Sequence, residues 1–123
     1  MKIRTHRELE VYKIAFVASM KIFNLSKSFP REETYSLTDQ IRRSSRSVCS
    51  DIAEAFRKRR YEKSFISKIN DSEGEAAETQ TWLEFALECN YINKNDYNFL
   101  IHEYENVLGK LFTMSKQPGK WSI

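Results

Sequence analysis

Turn-forming residues are scarce in this 123-residue chain, with three glycines and two prolines. No Gly-rich phosphate loop is present. Strand signals are missing as well, because no segment alternates polar and apolar residues over several positions. Cysteine is rare: Cys49 and Cys89 lie far apart without CxxC spacing. They read as two reduced, partly buried thiols rather than a disulfide framework. Only two histidines occur, His6 and His102, and neither follows a glutamate by three residues. The Glu-x-x-His arrangement of di-iron bundles is therefore absent, so Asp71, Glu75 and Glu78 are expected to hold no metal. Both histidines read as surface residues. The hydroxyls of Ser44, Ser45, Ser47 and Ser50 have no histidine within reach in sequence, so nucleophilic catalysis has no support and no enzyme or cofactor is expected. No run approaches the roughly 20 apolar residues of a spanning helix. The N-terminal MKIRTHRELEVYK is charged and lacks the apolar stretch of a secretory signal, which points to the cytoplasm.

What is present is helical periodicity. Hydrophobic residues make up 41% and charged residues 30%. That is the balance of a globular chain, and the length suits a single domain over residues 1–123. The spacing predicts helices over about 7–27, 37–59, 62–89 and 94–116. Pro30 and the RKRR run at 57–60 mark two breaks, and Cys89-Asn90-Tyr91-Ile92 marks the third. Ser36 is expected to cap the second helix, with Asp39 in a capping-box-like position, and Asn93 the fourth. Four such helices with short connections imply an all-α, up-down-up-down four-helix bundle. The tail from Lys116 is expected to be loosely held.

Three of these helices carry more pattern than one core needs. The first has two apolar stripes: Leu9, Tyr12, Phe16, Met20 and Phe23, and Val11, Ile14, Ala18, Ile22 and Leu25. The second has three faces at about 100° per residue. Leu37, Ile41, Ser44, Val48, Ile52 and Ala55 form its core face. Gln40, Arg43, Ser47, Ser50 and Glu54 form a polar face, and Arg42, Arg46, Arg57 and Arg60 a basic one. The third buries Phe65, Ile69, Ser72, Ala76, Thr79, Leu83 and Leu87, with Trp82 and Phe85 off the stripe beside acids. Gly74 sits inside this pattern, through close packing or simple tolerance. The fourth has one clean stripe, from Tyr97 to Phe112. The formal charge is +3, but it is polarised: residues 39–63 hold eight bases and four acids, and 71–88 hold six acids and no base.

Two readings follow. Arg42, Arg46, Arg57, Lys58, Arg59 and Arg60 can contact a phosphate backbone, since guanidinium forks suit phosphate oxygens. Gln40, Arg43, Glu54, Glu75 and Glu78 form a structural polar network, with Arg43 meeting Glu75 or Glu78 across helices or subunits. Trp82, Phe85, Val11, Ile14, Ala18 and Ile22 are left for a subunit interface, which suits a head-to-tail homo-oligomer. The alternative is a protein–protein scaffold that binds no nucleic acid.

The segment QIRRSSRSVCSDIAEAF (40–56) resembles the pattern Q-x-R-R-x-x-x-S-[IV]-x-x-N-I-A-E-G. That pattern belongs to a bacterial family of four-helix-bundle proteins encoded in intervening sequences of large-subunit rRNA genes, sometimes labelled ribosomal proteins. RELEVYKIAF (7–16), Ser28-Phe29-Pro30 and EAAETQTWLEFALECNYI (75–92) are similar to its other segments, so the likeness spans about residues 7–115. The resemblance implies a ring-shaped homopentamer with no known enzymatic activity. A related group, the accessory variability proteins of diversity-generating retroelements, implies by analogy binding to RNA or DNA and to a co-encoded protein. Asp51 stands where the family usually has Asn, which would put a negative charge beside the arginines. Ala55 stands where it usually has Gly.

Overall fold

The computed structural model describes residues 3–121. Among them the chain forms α1 (Glu10–Ser26), α2 (Leu37–Arg57), α3 (Glu62–Glu88) and α4 (Lys94–Lys116), with 3-10 turns at His6–Glu8, Arg31–Glu33 and Pro118–Lys120 and no strand. Each helix packs on its sequence neighbours, most extensively α2 on α3, and α4 closes back on α1. The result is a four-helix bundle. Among the described residues no helix is long and apolar enough to cross a membrane.

Local chemistry sets the helix ends. Thr5 opens the N-terminal turn through a capping box: the Arg7 N–H donates to its hydroxyl, and the Thr5 N–H donates to the Glu8 carboxylate at 3.0 Å. The chain leaves α3 through Asn90, at φ 62°. Asparagine tolerates this left-handed conformation well. The Tyr91 N–H reaches back to the Ala86 carbonyl and the Asn90 N–H to that of Leu87, which is a Schellman ending. Asn93 then caps α4, accepting from the Asp96 N–H at 2.7 Å. The start of α2 differs from expectation. Ser36 makes no side-chain cap. Glu33 does that work instead: one carboxylate oxygen accepts from the Ser36 hydroxyl and the Leu37 N–H, and the other accepts from the Tyr91 hydroxyl at 2.9 Å. One carboxylate thus ties the α1–α2 connection, the start of α2 and the α3–α4 turn together.

The α2–α3 seam is built from small side chains. Ser44, Ser72, Ala76 and Thr79 are fully buried, which lets the two backbones approach closely. Their hydroxyls are satisfied, as buried polar groups generally are. Ser72 donates to the Val48 carbonyl across the seam, Thr79 donates to the Glu75 carbonyl one turn back, and the Ser44 and Thr79 oxygens lie 2.8 Å apart. Gly74 faces open space, so its cost relative to alanine is simply tolerated.

Three expectations are corrected. On α1 the core side is Val11, Ala15, Ala18 and Ile22, all buried within one chain, while Phe16, Val17 and Met20 are exposed. Val11, Ala18 and Ile22 are therefore core residues and unavailable to a subunit interface. Ile14 is half-buried against the same core. The small Ala15, Ala18 and Ser19 let α1 sit close to its neighbours, which the bulkier stripe would prevent. On α4, Phe112 turns outward and Met114 takes the buried position. The tail is also held, as far as Trp121, which packs against the core.

Candidate nucleic-acid interface

The basic face of α2 divides into two groups. Arg42 and Arg57 are fifteen residues apart, about 22 Å along a helix axis. At the α2 N-terminal end, Arg42 donates from Nε to the Ser26 hydroxyl at 2.8 Å, and its guanidinium lies over the Phe23 ring at 4.7 Å. Arg46 lies over the same ring at 5.5 Å but keeps an exposed side chain. Both arginines thus stand on α1 aromatic surface, a stabilising cation–π arrangement that fixes their position.

At the other end, Arg57 and Arg60 are exposed, and among the described residues neither forms an ion pair. Two residues that the basic-face reading grouped with them are occupied. Lys58 pairs with Glu54 at 3.5 Å, and Arg59 folds back to donate to the Phe56 carbonyl, its guanidinium 3.8 Å from the Phe56 ring. Burial and then the Arg57 and Arg60 charges hold Arg59 below its ordinary value. Lys58 and Arg59 are thus less free to meet a phosphate than Arg57 and Arg60. The N-terminal turn joins the cluster. His6 lies close enough to Arg7 and Arg57 that, after burial, their charges lower its pKa from 6.5. At this end of the bundle Arg7 and Arg57 stand near one depressed imidazole, and Arg57 and Arg60 near Arg59, with no ion pair to Arg7, Arg57 or Arg60 among the described residues. No spacing rule relates position 7 to 57, because only tertiary packing of the first turn on α2 brings them together.

Residues 7–113 match the model of the 23S rRNA-intervening sequence protein family. The chain belongs to this family. A solved structure, described as a protein with unknown function from the S23 ribosomal protein family of Bacteroides thetaiotaomicron VPI-5482, is similar at 28% identity. It has a TM-score of 0.77, and the match covers 86% of this chain and 95% of that one. No curated protein matches the chain.

This family member keeps its polar network inside one subunit. Arg43 bonds Glu78 at 2.8 Å, reaches Gln40 at 3.3 Å and stands 3.7 Å from Glu75. Glu54 lies outside this group, pairing with Lys68 and Lys58, because it sits eleven residues, about three turns, beyond Arg43. Lys68 was not foreseen; it joins Asp51, Glu54 and Asp71 at 3.2–3.6 Å. Asp51 thus faces α3 rather than the arginines, correcting the expected charge beside them. Burial raises Asp51 against the pull of Lys68. Burial, followed by the Glu78 charge, raises Glu75, whose Oε1 finds no partner among the described residues. Ala55, where glycine is usual, is fully buried in the core. Across the network, five carboxylates share three cations. Charge is therefore partitioned across α2, unpaired and basic towards α1, paired and acidic towards α3.

Trp82 and Phe85 stand 6.0 Å apart beside a groove with Tyr35, Leu37 and Gln40. Phe85 and Tyr35 are exposed, and the Trp82 indole N–H has no acceptor among the described residues. Among those residues, no group of three or more His, Cys, Asp or Glu side chains is placed to hold a metal ion.

Proposed function

We propose that this is a non-enzymatic, cytoplasmic, homo-oligomeric bundle that binds nucleic acid through the basic side of α2. The observation that carries the reading is the cluster of Arg7, Arg57 and Arg60, cations without ion pairs among the described residues, while Arg43, Lys58 and Lys68 are engaged by Asp51, Glu54, Asp71, Glu75 and Glu78. Unpaired guanidiniums on one face suit a polyanion, whose phosphates they neutralise with release of counterions. The family's description associates it with 23S rRNA, so RNA is the first polymer to test. A ring would repeat the basic cluster and raise its effective affinity. Trp82, Phe85 and Tyr35 supply the apolar surface for subunit contact in this reading, in place of the α1 core residues.

The test is RNA binding as a function of salt for the parent chain and for Arg57→Glu with Arg60→Glu. The expected result is steep weakening with salt, and a loss on charge reversal accompanied by a shallower salt slope, about one unit per phosphate contact removed. Affinity indifferent to both salt and charge reversal counts against it. The second reading, a scaffold for a co-encoded protein, is favoured by the Trp82–Phe85 groove; it expects no RNA binding and loss of the partner on Trp82→Ala.

A further inference from the structure

Phe16 and Met20, on the outer side of α1, are not part of the core, whereas Tyr12 packs partly against it. Val11, Ala15, Ala18 and Ile22 supply that packing, yet Phe16 is 48% exposed and Met20 45%. These residues are ordered in a row. His6 meets the Tyr12 ring edge-on at 4.8 Å, Tyr12 lies 5.9 Å from Phe16 at an interplanar angle of 29°, and Phe23 follows beneath Arg42 and Arg46. Between this row and α2 runs a groove of about 290 Å³ whose α2 wall is short: Cys49, Ser50 and Ala53, with Arg46 at one side. None of its lining residues is acidic. One end opens towards His6 and the Arg57 cluster, which His6 senses electrostatically.

We infer that this α1–α2 groove binds a single strand of nucleic acid, its bases stacked on Tyr12 and Phe16 and its phosphates on Arg46, which Phe23 supports, and on the Arg57 cluster. The inference rests on the polyanion reading above and adds which form of polymer is bound. Three arguments carry it. The exposed Phe16 ring and the half-buried Tyr12 ring, flanked by guanidiniums, match the two needs of an unpaired strand, π-faces for bases and cations for the backbone. A duplex offers only groove edges and phosphates, and would leave these rings in water. The length also fits: Tyr12 to Phe23 spans about 16 Å of helix, enough for about five nucleotides at a stacked spacing of about 3.4 Å. A second copy of the same face is a poor occupant, because two-fold pairing would set Arg46 and its neighbours against like charge.

The experiment is fluorescence anisotropy on the full chain with a labelled 12-nucleotide mixed-sequence RNA, single-stranded and as its duplex, with light scattering on each variant. The expected result is preference for the single strand by about tenfold or more. Phe16→Leu, which keeps an apolar side chain but removes the π-face, should weaken single-strand binding about 5- to 150-fold, the loss associated with one stacked base. It should leave duplex binding and the salt slope unchanged, and Phe16→Trp should restore affinity. Equal affinity for both forms with no effect of Phe16→Leu overturns the groove while leaving phosphate binding intact. Failure of the parent chain to bind either form overturns the underlying reading as well. A change in oligomer mass on Phe16→Leu assigns the face to subunit contact and overturns the inference.

Discussion

Thr79→Val tests whether the α2–α3 seam is held by matched hydroxyls rather than by shape alone. Valine keeps the volume and branching of threonine but removes the oxygen that lies 2.8 Å from Ser44 Oγ. Ser44 is fully buried, and its remaining contact, to the Ile41 carbonyl, is 3.5 Å, too long to replace what is lost. Leaving that hydroxyl without a good partner should cost about 1–3 kcal/mol. For a chain of this size that is about 3–6 °C in Tm per kcal/mol. Ser44→Ala should cost less, because Thr79 still donates to the Glu75 carbonyl. In the double variant both polar groups are gone, so its loss should fall short of the sum by about 1 kcal/mol. Urea unfolding followed by circular dichroism, at one fixed protomer concentration, measures all four corners of the cycle. A Thr79→Val variant as stable as the parent, or a double variant equal to the sum of the singles, would refute this account of the seam.

Glu33→Ala should cost about 1 kcal/mol, as the loss of a helix cap does, and free the α3–α4 turn. Hydrogen bonds from Ser36, Tyr91 and the Leu37 N–H hold the Glu33 carboxyl below 4.5, so its stabilisation is present above that pH and is lost as pH falls through the lower folded value. Unfolding measured at about pH 7 and about pH 3.5 should show that the variant has lost part of the parent's acid sensitivity. Cys89 is exposed and should react with a thiol reagent in the native protein, whereas Cys49, buried and pushed up to about 11, should react only on unfolding. Equal native reaction rates would contradict that burial. If phosphates occupy the Arg57 cluster, they will raise the depressed His6 pKa, so RNA affinity should rise as pH falls through the raised, RNA-bound value. His6→Asn should flatten that profile, and an unchanged profile would place the RNA elsewhere.

Helix positions were legible because periodicity and end signals agree. Asn93 with Asp96 and the break at Cys89-Asn90 bound α3 and α4 where expected, and the core faces of α2 and α3 are buried almost residue for residue. The α1 assignment was inverted because both of its stripes are apolar, so hydropathy alone cannot choose between them. The decisive feature is size, since Ala15, Ala18 and Ser19 mark the side where a neighbour comes close. Glu33 was missed because a carboxylate three residues before the nominal cap acts through an irregular turn that no periodicity describes. The four-arginine stripe was read as one helix face, but α2 ends at Arg57 and Arg60 lies beyond it. Angle alone ignores the separation of about 22 Å between Arg42 and Arg57. The bonds of Arg42 to Ser26 and Arg59 to Phe56 are tertiary or local events. Arg7 entered the basic cluster for the same reason, through folding of the first turn onto α2.

The most direct test of the central claim, that the unpaired basic side of α2 binds nucleic acid, is size-exclusion chromatography with light scattering. The protein is purified without nuclease, and mass and the 260/280 absorbance ratio are read together. The predicted result is a mass that is a multiple of the 14.6 kDa protomer. It should carry bound nucleic acid that high salt strips away and that Arg57→Glu with Arg60→Glu fails to retain. A protein peak free of nucleic acid at low salt, which also fails to bind added RNA, would contradict it.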